Sequence, residues 1–294
     1  EGSYPVVIKA DGLALGKGVL ICGNEAEAET ALHEMIDEKK FGASGTRVVV
    51  EEFLTGPEVS VLAFADGKTL KPMVSSMDHK RALDGDEGLN TGGMGTIAPN
   101  PCYTAEVAEE CAKQIFEPTM KAMQAEDCPF KGCLYFGLMI TPKGPRVIEY
   151  NCRFGDPETQ VVLPLLESDL LKIMLACTSG TLADTEVKFK NESAACVILA
   201  SGGYPEHYEK GKEITGLVNG QVPGSDVVVY HAGTAEKDGK LVTSGGRVLG
   251  VSATAPTLKK ALEKAYAASE QIHFDKLHKR ADIGRRALNA LKGE

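Results

Sequence analysis

Nowhere in this chain do eighteen or more apolar residues follow one another, so no membrane-spanning helix is expected. The opening Glu1-Gly2-Ser3-Tyr4 has neither a basic stretch nor an apolar core, and no secretory leader is expected from it. Positive charge is also scarce. The 32 Lys and Arg residues are outnumbered by 41 Asp and Glu, for a net charge of −9. That balance excludes the broad basic face a general nucleic-acid binder needs. Phosphates would have to be bound locally, by a few lysines, backbone N–H groups or a divalent cation. None of the eight cysteines forms a C-x-x-C pair, and several sit in apolar runs such as Ala195-Cys196-Val197. They read as core thiols of a reducing compartment, and a cytoplasmic location is expected. His79 has no second histidine at metal-ligand spacing, which argues against zinc. A Ser-His-Asp or Cys-His pattern is missing as well.

What is present suits a globular α/β (α+β) protein. The 294 residues are 43% hydrophobic and 25% charged, and the length favours two domains. The chain enters directly on a strand-like run, Pro5 to Lys9, so a fragment or a processed chain is expected. A second short strand, Gly18 to Ile21, follows a glycine-rich loop. Asn24 caps a helix with Glu27 at its third position, and Ala28, Ala31, Leu32, Met35 and Ile36 form the expected buried stripe. Arg47 to Phe53 is a valine-rich strand. Asp66-Gly67 turns a hairpin between 59–65 and 69–75. The polar, glycine-rich stretch 77–98 is expected to be a long functional loop. A helix over 104–126, bent at Pro118, comes next. Then come a hairpin 132–141/146–151 and two helices near 157–167 and 168–177. Beyond Ser193, short strands (195–200, 227–232, 242–251) alternate with glycine turns, followed by a helix over 256–272. These expectations place a domain boundary near Lys190, giving domains 1–190 and 191–294.

Four clusters carry chemistry. Lys9-Ala-Asp-Gly-Leu-Ala-Leu-Gly16-Lys17-Gly18 has the wrong spacing for a Walker A loop and leads into a strand. It remains a β-loop-β hairpin able to fold over phosphates, or merely a solvated glycine hairpin. Val50-Glu51-Glu52-Phe53-Leu54-Thr55-Gly56-Pro57-Glu58 ends a strand with carboxylates. Glu51, the Leu54 backbone and Glu58 match the acceptor and donor needs of a purine nucleoside, but a plain charged strand end explains them too. In 147–158, Glu149 and Asn151 face the same side of a strand and make a plausible Mg²⁺ seat. Arg153 beside them suits a phosphoryl group, with a Glu–Arg structural pair as the rival reading. A Glu in so apolar a strand is costly unless paired. Finally, Asp78-His-Lys-Arg81 and Asn90-Thr-Gly-Gly-Met-Gly95 place polar groups beside glycines that permit close backbone approach. A disordered surface loop is the alternative there.

In this order the four pieces resemble the ATP-grasp superfamily. The runs 9–19, 78–81, 90–95 and 151–160, with Gly203-Tyr204-Pro205, Gly245-Gly246-Arg247-Val248 and 280–288, resemble the glycinamide ribonucleotide synthetase family more narrowly. The resemblance covers essentially the whole chain. It implies an ATP-grasp fold with a small, mixed, β-rich C-terminal domain. It also implies a ligase that joins glycine to 5-phosphoribosylamine through an acyl phosphate, in de novo purine biosynthesis, using ATP and Mg²⁺ or Mn²⁺. No enzyme nucleophile is required, since positioning and charge neutralisation suffice.

Carried over residue by residue, the resemblance puts Lys9, Gly16, Lys17 and Gly18 on the phosphates. Glu51 and Leu54 take the adenine, and Glu58 takes the ribose. Glu149 and Asn151 hold the metal, and Arg153, with Lys9 and Lys17, serves the transferring phosphoryl group. Asp78, Lys80, Asn90, Thr91, Gly92, Gly93 and Asp156 fall to the glycine and ribosylamine side. Many members carry a further metal-binding carboxylate on the preceding strand. The run Leu134 to Ile140 offers none, so a leaner metal site is expected. The family's N-terminal nucleotide-fold domain, which contributes to the ribosylamine phosphate site, is expected to be missing and to be supplied in cis or in trans. A monomer with small-molecule substrates, no nucleic acid and no membrane is expected. Another ATP-grasp carboxylate–amine ligase, or a nucleotide-binding fragment without catalysis, are the alternative readings.

Overall fold

The computed structural model describes residues 3–12, 14 and 18–293. The chain forms two compact units, residues 1–55 and 56–294. In the first, β1 (Val6–Ala10), β2 (Val19–Cys22), helix α1 (Glu25–Leu32) and β3 (Val48–Glu52) form an antiparallel sheet, order β2-β1-β3, under one helix. Asn24 Oδ1 accepts from the Glu27 N–H at 3.0 Å, and Glu27 Oε2 accepts from the Gly23 N–H at 2.7 Å. The expected reciprocal cap therefore forms, closed one residue earlier than usual. Ile8, Cys22, Ala28, Ala31 and Met35 make the core. Ile36 does not join it and is 38% exposed. The helix passes into a π-helical segment, His33–Asp37, whose wider turn rotates Ile36 off the apolar face.

The second unit opens with the hairpin β4 (Glu58–Asp66) and β5 (Leu70–Pro72). Asp66 Oδ1 accepts the N–H groups of Lys68 and Thr69 in the turn. The stretch 77–98 is not the long loop expected. It holds β6 (Met77–Asp78), β7 (Arg81–Leu83), β8 (Glu87–Asn90) and β9 (Gly95–Ala98). Strands β7 and β8 pair as a ribbon, while β6 and β9 pair with each other and β9 with a distant strand. The partner of β9 lies about a hundred residues onward, too far along the chain for local periodicity to show it.

Thr104 caps α2 (Ala105–Cys111), which runs through a π-helical segment, Ala112–Phe116, into α3 (Glu117–Ala125). The Glu117 N–H reaches Ala112 O, five residues back, immediately before Pro118, which has no N–H of its own. Strands β10 (Lys131–Thr141) and β11 (Gly144–Asn151) complete a four-stranded antiparallel sheet, order β11-β10-β4-β5. One face packs Val59, Val61, Leu134, Phe136 and Leu138 against Cys111, Ile115 and Phe116. The other packs Leu62, Phe64 and Cys133 against α4 (Thr159–Val162) and α5 (Leu170–Ser179). Each such fully buried apolar side chain is worth roughly 1.5–3 kcal/mol.

The remaining strands are β12 (Ser193–Ser201), β13 (Val228–His231), β14 (Thr234–Lys237), β15 (Lys240–Thr243) and β16 (Arg247–Ala255). The strand expected over 242–251 is split at Ser244–Gly246, so that β15 pairs β14 and β16 pairs β12 and β13. Helix α6 (Leu258–Ser269) covers this sheet through Leu258, Ala261, Leu262 and Ala265, as its periodicity requires. β17 (Leu277–His278) pairs the end of β12, and α7 (Arg285–Lys292) follows. The sheet order β13-β16-β12-β9-β6 unites strands from both sides of Lys190. The division between compact units falls after Thr55. All eight cysteines are free. Five are buried, Cys102 is half-buried, and Cys128 and Cys152 are exposed, unlike the uniform core thiols expected.

Candidate active site

In the first unit, β1 and β3 bring Lys9 and Glu51 together, with Lys9 Nζ 2.6 Å from Glu51 Oε2. Leu54 is half-buried just beyond β3. Gly18 closes the hairpin, its carbonyl accepting from the Ala10 N–H at 2.8 Å. A side chain there would press on Ala14 and Ala10 within 3 Å. Gly16 and Lys17 lie outside the described residues.

In the second unit, the sheet β11-β10-β4-β5 sets out a polar face. Glu149 and Asn151 lie opposite Gly137 and Tyr135 of β10. Gly137 leaves the room that Glu149 uses, since a Cβ there would sit 3.0 Å from Glu149 Cγ. Asn151 Nδ2 approaches Glu149 Oε1 at 3.3 Å, so the two oxygen-bearing side chains meet on one face. Glu149 is exposed on an edge strand and is not the costly buried charge expected. Among the described residues no group of three or more His, Cys, Asp and Glu converges as a metal cage. A Glu–Asn pair that leaves other positions to water and phosphate oxygens fits Mg²⁺ chemistry, once the Asn amide turns its Oδ1 inward. Arg153 follows the strand. It donates to Phe154 O at 2.9 Å, and among the described residues it forms no ion pair, so the Glu–Arg structural reading finds no support.

Beside this pair is a set of buried titratable groups. Tyr135 Oη lies 2.9 Å from Ser60 Oγ. Glu158 is only 5% exposed. Burial raises its carboxyl pKa, against a hydrogen bond from Tyr135 and the charges of Lys80 and Arg153. Asp78 on β6 is pushed well above the usual carboxylate range, first by burial and then by Glu158. Lys80 pairs with Glu58 at 2.7 Å. Burial alone would lower the Lys80 pKa, but Glu58 outweighs it and the net shift is upward.

The turn 91–94 packs against this cluster. Gly93 has φ of +109°, and a Cβ there would meet Asp78 Oδ1 and Pro157 Cδ at 2.6 Å. Its neighbours' backbone N–H groups are all engaged within the protein. Thr91 donates to Lys80 O, Gly92 to Tyr204 Oη, Gly93 to Thr91 Oγ1 and Met94 to His79 O. Asn90 pairs with Arg81 across the β7–β8 ribbon. Asp156 Oδ2 accepts from Arg247 Nη2 at 3.0 Å.

The structure therefore gathers Asp78, Lys80, Glu58, Gly92, Gly93 and Asp156 in one neighbourhood of the second unit. Residue-by-residue reading passed over Glu158, Tyr135, Arg247 and Tyr204. Three of the four lie inside the diagnostic runs. Their partners stand 23 to 155 residues away or on another strand, and nothing local marks them. A cavity of about 510 Å³, lined by Ile115, Pro118, Met123, Phe130, Leu134 and Tyr150, is mostly apolar and involves α3. Strand alternation turns Tyr150 away from Glu149 and Asn151, so this cavity is separate from the polar face.

Residues 1–159 match the phosphoribosylglycinamide synthetase ATP-grasp (A) domain family, and residues 194–286 match its C domain. The phosphoribosylamine–glycine ligase of Synechocystis sp. is 49% identical over 286 residues, covering 97% of this chain and 67% of that protein. A crystal structure of phosphoribosylamine–glycine ligase from Thermotoga maritima superposes with a TM-score of 0.83 at 41% identity, over 96% of this chain and 69% of that one. The biotin carboxylase domain of 2-oxoglutarate carboxylase from Hydrogenobacter thermophilus, solved with MgADP, ADP and bicarbonate, shares the fold at 18% identity. Its TM-score is 0.67 over 94% of this chain and 59% of that one.

Proposed function

Since the chain belongs to the phosphoribosylglycinamide synthetase family, we propose that it acts as an ATP-dependent carbon–nitrogen ligase on glycine and 5-phosphoribosylamine. The products are glycinamide ribonucleotide, ADP and phosphate. The chain spans about two thirds of the length of its Synechocystis relative. The observation that carries the reading is the Glu149–Asn151 pair at the end of an edge strand, with Arg153 two residues beyond.

A glycine carboxylate oxygen attacks the γ-phosphorus of ATP, and the bond from that phosphorus to the β-γ bridging oxygen breaks. The ribosylamine nitrogen then attacks the acyl carbon, the acyl C–O bond breaks, phosphate departs and the amine loses a proton. Arg153 faces the transferring phosphoryl group, where a guanidinium offsets developing charge. Lys9 and the loop containing Gly16, Lys17 and Gly18 serve the ATP phosphates. Glu51 and the Leu54 backbone serve adenine, and Glu58 the ribose. Glu149 and Asn151 would hold Mg²⁺ (or Mn²⁺), which would supply charge neutralisation for the phosphates. Asp78, Lys80, Asn90, Thr91, Gly92, Gly93 and Asp156 wall the side where the acid and the amine meet. In sequence terms the boundary near Lys190, between the two family segments, remains our division into modules. Free thiols suit a reducing compartment such as the cytoplasm. Among the described residues no helix is long and apolar enough to cross a membrane.

The test is ADP release from MgATP, with glycine and phosphoribosylamine each present or omitted. Release that requires both supports the synthetase. Release indifferent to either points to another carboxylate–amine pair. MgATP binding without release in any combination marks a nucleotide-competent piece that needs the rest of the protein.

A further inference from the structure

Arg247 stands at the start of β16, far in sequence from the chemistry, yet its side-chain hydrogen bonds go to the substrate-side wall. Nη1 donates to Gly92 O at 2.6 Å and to Asp156 O at 2.9 Å, and Nη2 donates to Asp156 Oδ2 at 3.0 Å. A planar guanidinium can hold two backbone carbonyls and a carboxylate at fixed angles, and an ammonium cannot. The fit is close. A Cβ on Gly92 would stand 2.9 Å from Arg247 Cζ, so only glycine admits the guanidinium against that turn.

The other side of the same peptide is held as well. The Gly92 N–H donates to Tyr204 Oη at 2.9 Å. Tyr204 in turn lies over Gly246, where a Cβ would come 2.2 Å from its ring. Gly246 precedes Arg247, so one turn of the C-terminal stretch seats both side chains. Asp156 is tied from its second oxygen by Gln160 Nε2 at 2.7 Å, and Ser252 Oγ bonds Gln160 O at 2.5 Å. The turn so gripped is the one whose Gly93 packs on Asp78 and Pro157.

We propose that Arg247 and Tyr204 are positioning residues for the ligase reaction: from the C-terminal stretch they fix the Gly92–Gly93 turn and Asp156, and so set the geometry of the acid- and amine-binding wall while leaving the ATP side alone. The inference rests on the functional reading above for its substrates, though the clamp itself is a matter of geometry. Displacing positioned groups by about 1 Å costs on the order of 10²-fold in rate. The effect belongs in kcat/KM for glycine and phosphoribosylamine, with MgATP affinity unchanged.

The experiment compares the whole chain with Arg247→Met, Arg247→Lys, Arg247→Ala and Tyr204→Phe. Expected are an MgATP Kd within about twofold of the parent and a loss of roughly tenfold or more in kcat/KM for glycine and for the amine in the Met and Lys variants. A smaller loss is expected in Tyr204→Phe, and partial recovery of Arg247→Ala on adding guanidinium ion. Amide hydrogen exchange supplies a readout that needs no turnover. In Arg247→Met the amides of 91–94 should exchange about tenfold faster or more, with those of β10 unchanged. Unchanged exchange and unchanged kcat/KM would overturn the proposal. So would an equal loss of MgATP affinity without guanidinium recovery, which marks a merely structural residue. A parent that binds MgATP without turnover needs the rest of the protein, and one that does neither sinks the functional reading; in both cases the exchange experiment decides the clamp.

Discussion

Asn151 Nδ2 lies 3.3 Å from Glu149 Oε1, on the exposed face of an edge strand where neither side chain is needed to fill a core. Function and stability should therefore separate at this pair. Glu149→Gln keeps the shape and removes the charge. Mg²⁺-dependent ADP release is expected to fall by ~10–100-fold, while the urea midpoint moves by less than about 0.5 kcal/mol in equivalent stability. Equal losses in both would make Glu149 structural.

His79 provides a prediction about acid. The ring is 1% exposed, Nδ1 donates to Gly95 O at 3.1 Å, and Nε2 accepts from the Gly284 N–H at 3.0 Å. That pattern requires the neutral ring. Burial, then the charges of Arg280 and Arg286, bring its pKa down to about 4. In the unfolded chain the pKa returns to about 6.5. Between those values the unfolded state binds more protons, so the His79 contribution is intact above about pH 6.5 and is lost as pH falls toward 4. The full loss is on the order of 3 kcal/mol. Urea unfolding at several pH values, for the parent and His79→Asn, should show the parent's extra slope in that window and not above it.

Gly93→Ala tests the turn. The φ of +109° disfavours any side chain, and the added Cβ would also meet Asp78 Oδ1 and Pro157 Cδ. A loss of at least ~2 kcal/mol is expected. Gly239→Ala is the control, since Gly239 also has positive φ, +74°, but open space around it. It should cost about 1 kcal/mol. Indistinguishable losses would mean the packing on Asp78 contributes nothing.

Arg280 is 1% exposed and bonds Asp282 Oδ1 at 2.8 Å and Asp86 Oδ1 at 3.0 Å. Despite its burial, hydrogen bonds from Arg280 and the Gly85 N–H hold the Asp282 carboxyl far below the ordinary range. Asp282→Asn removes the buried partner and should cost about 3–5 kcal/mol, against about 1 kcal/mol for Asp86→Asn, where Asp282 remains. Chemical denaturation of both variants checks the ranking.

Much of this was legible from the residues. Local features such as the Asn24–Glu27 cap, the Asp66-Gly67 hairpin turn and the stripe of α6 formed as read, because each depends on residues within one or two turns of chain. The Glu149–Asn151 pairing followed from strand alternation alone. What escaped was non-local. The 77–98 stretch looked like a loop because β9 finds its partner, β12, about a hundred residues onward. Arg247 and Tyr204 sat in recognisable runs, but their partner Gly92 is 155 and 112 residues away. Ile36 was misassigned because a π-helical segment changes the angular period that the stripe assumes.

The pairing of β9 with β12 also bears on how such a chain can be cut or recombined. Sequence modules that meet near Lys190 read as separable units of inheritance. Mechanically they are stitched, since removing everything after Lys190 would strip β9 of a neighbour along 95–98 and leave an open strand edge beside Asp78. A swap of the C-terminal stretch between relatives therefore exchanges the side chains, Arg247 and Tyr204, that grip the Gly92 peptide, and a chimaera should be judged by whether its new β12 still accepts the old β9.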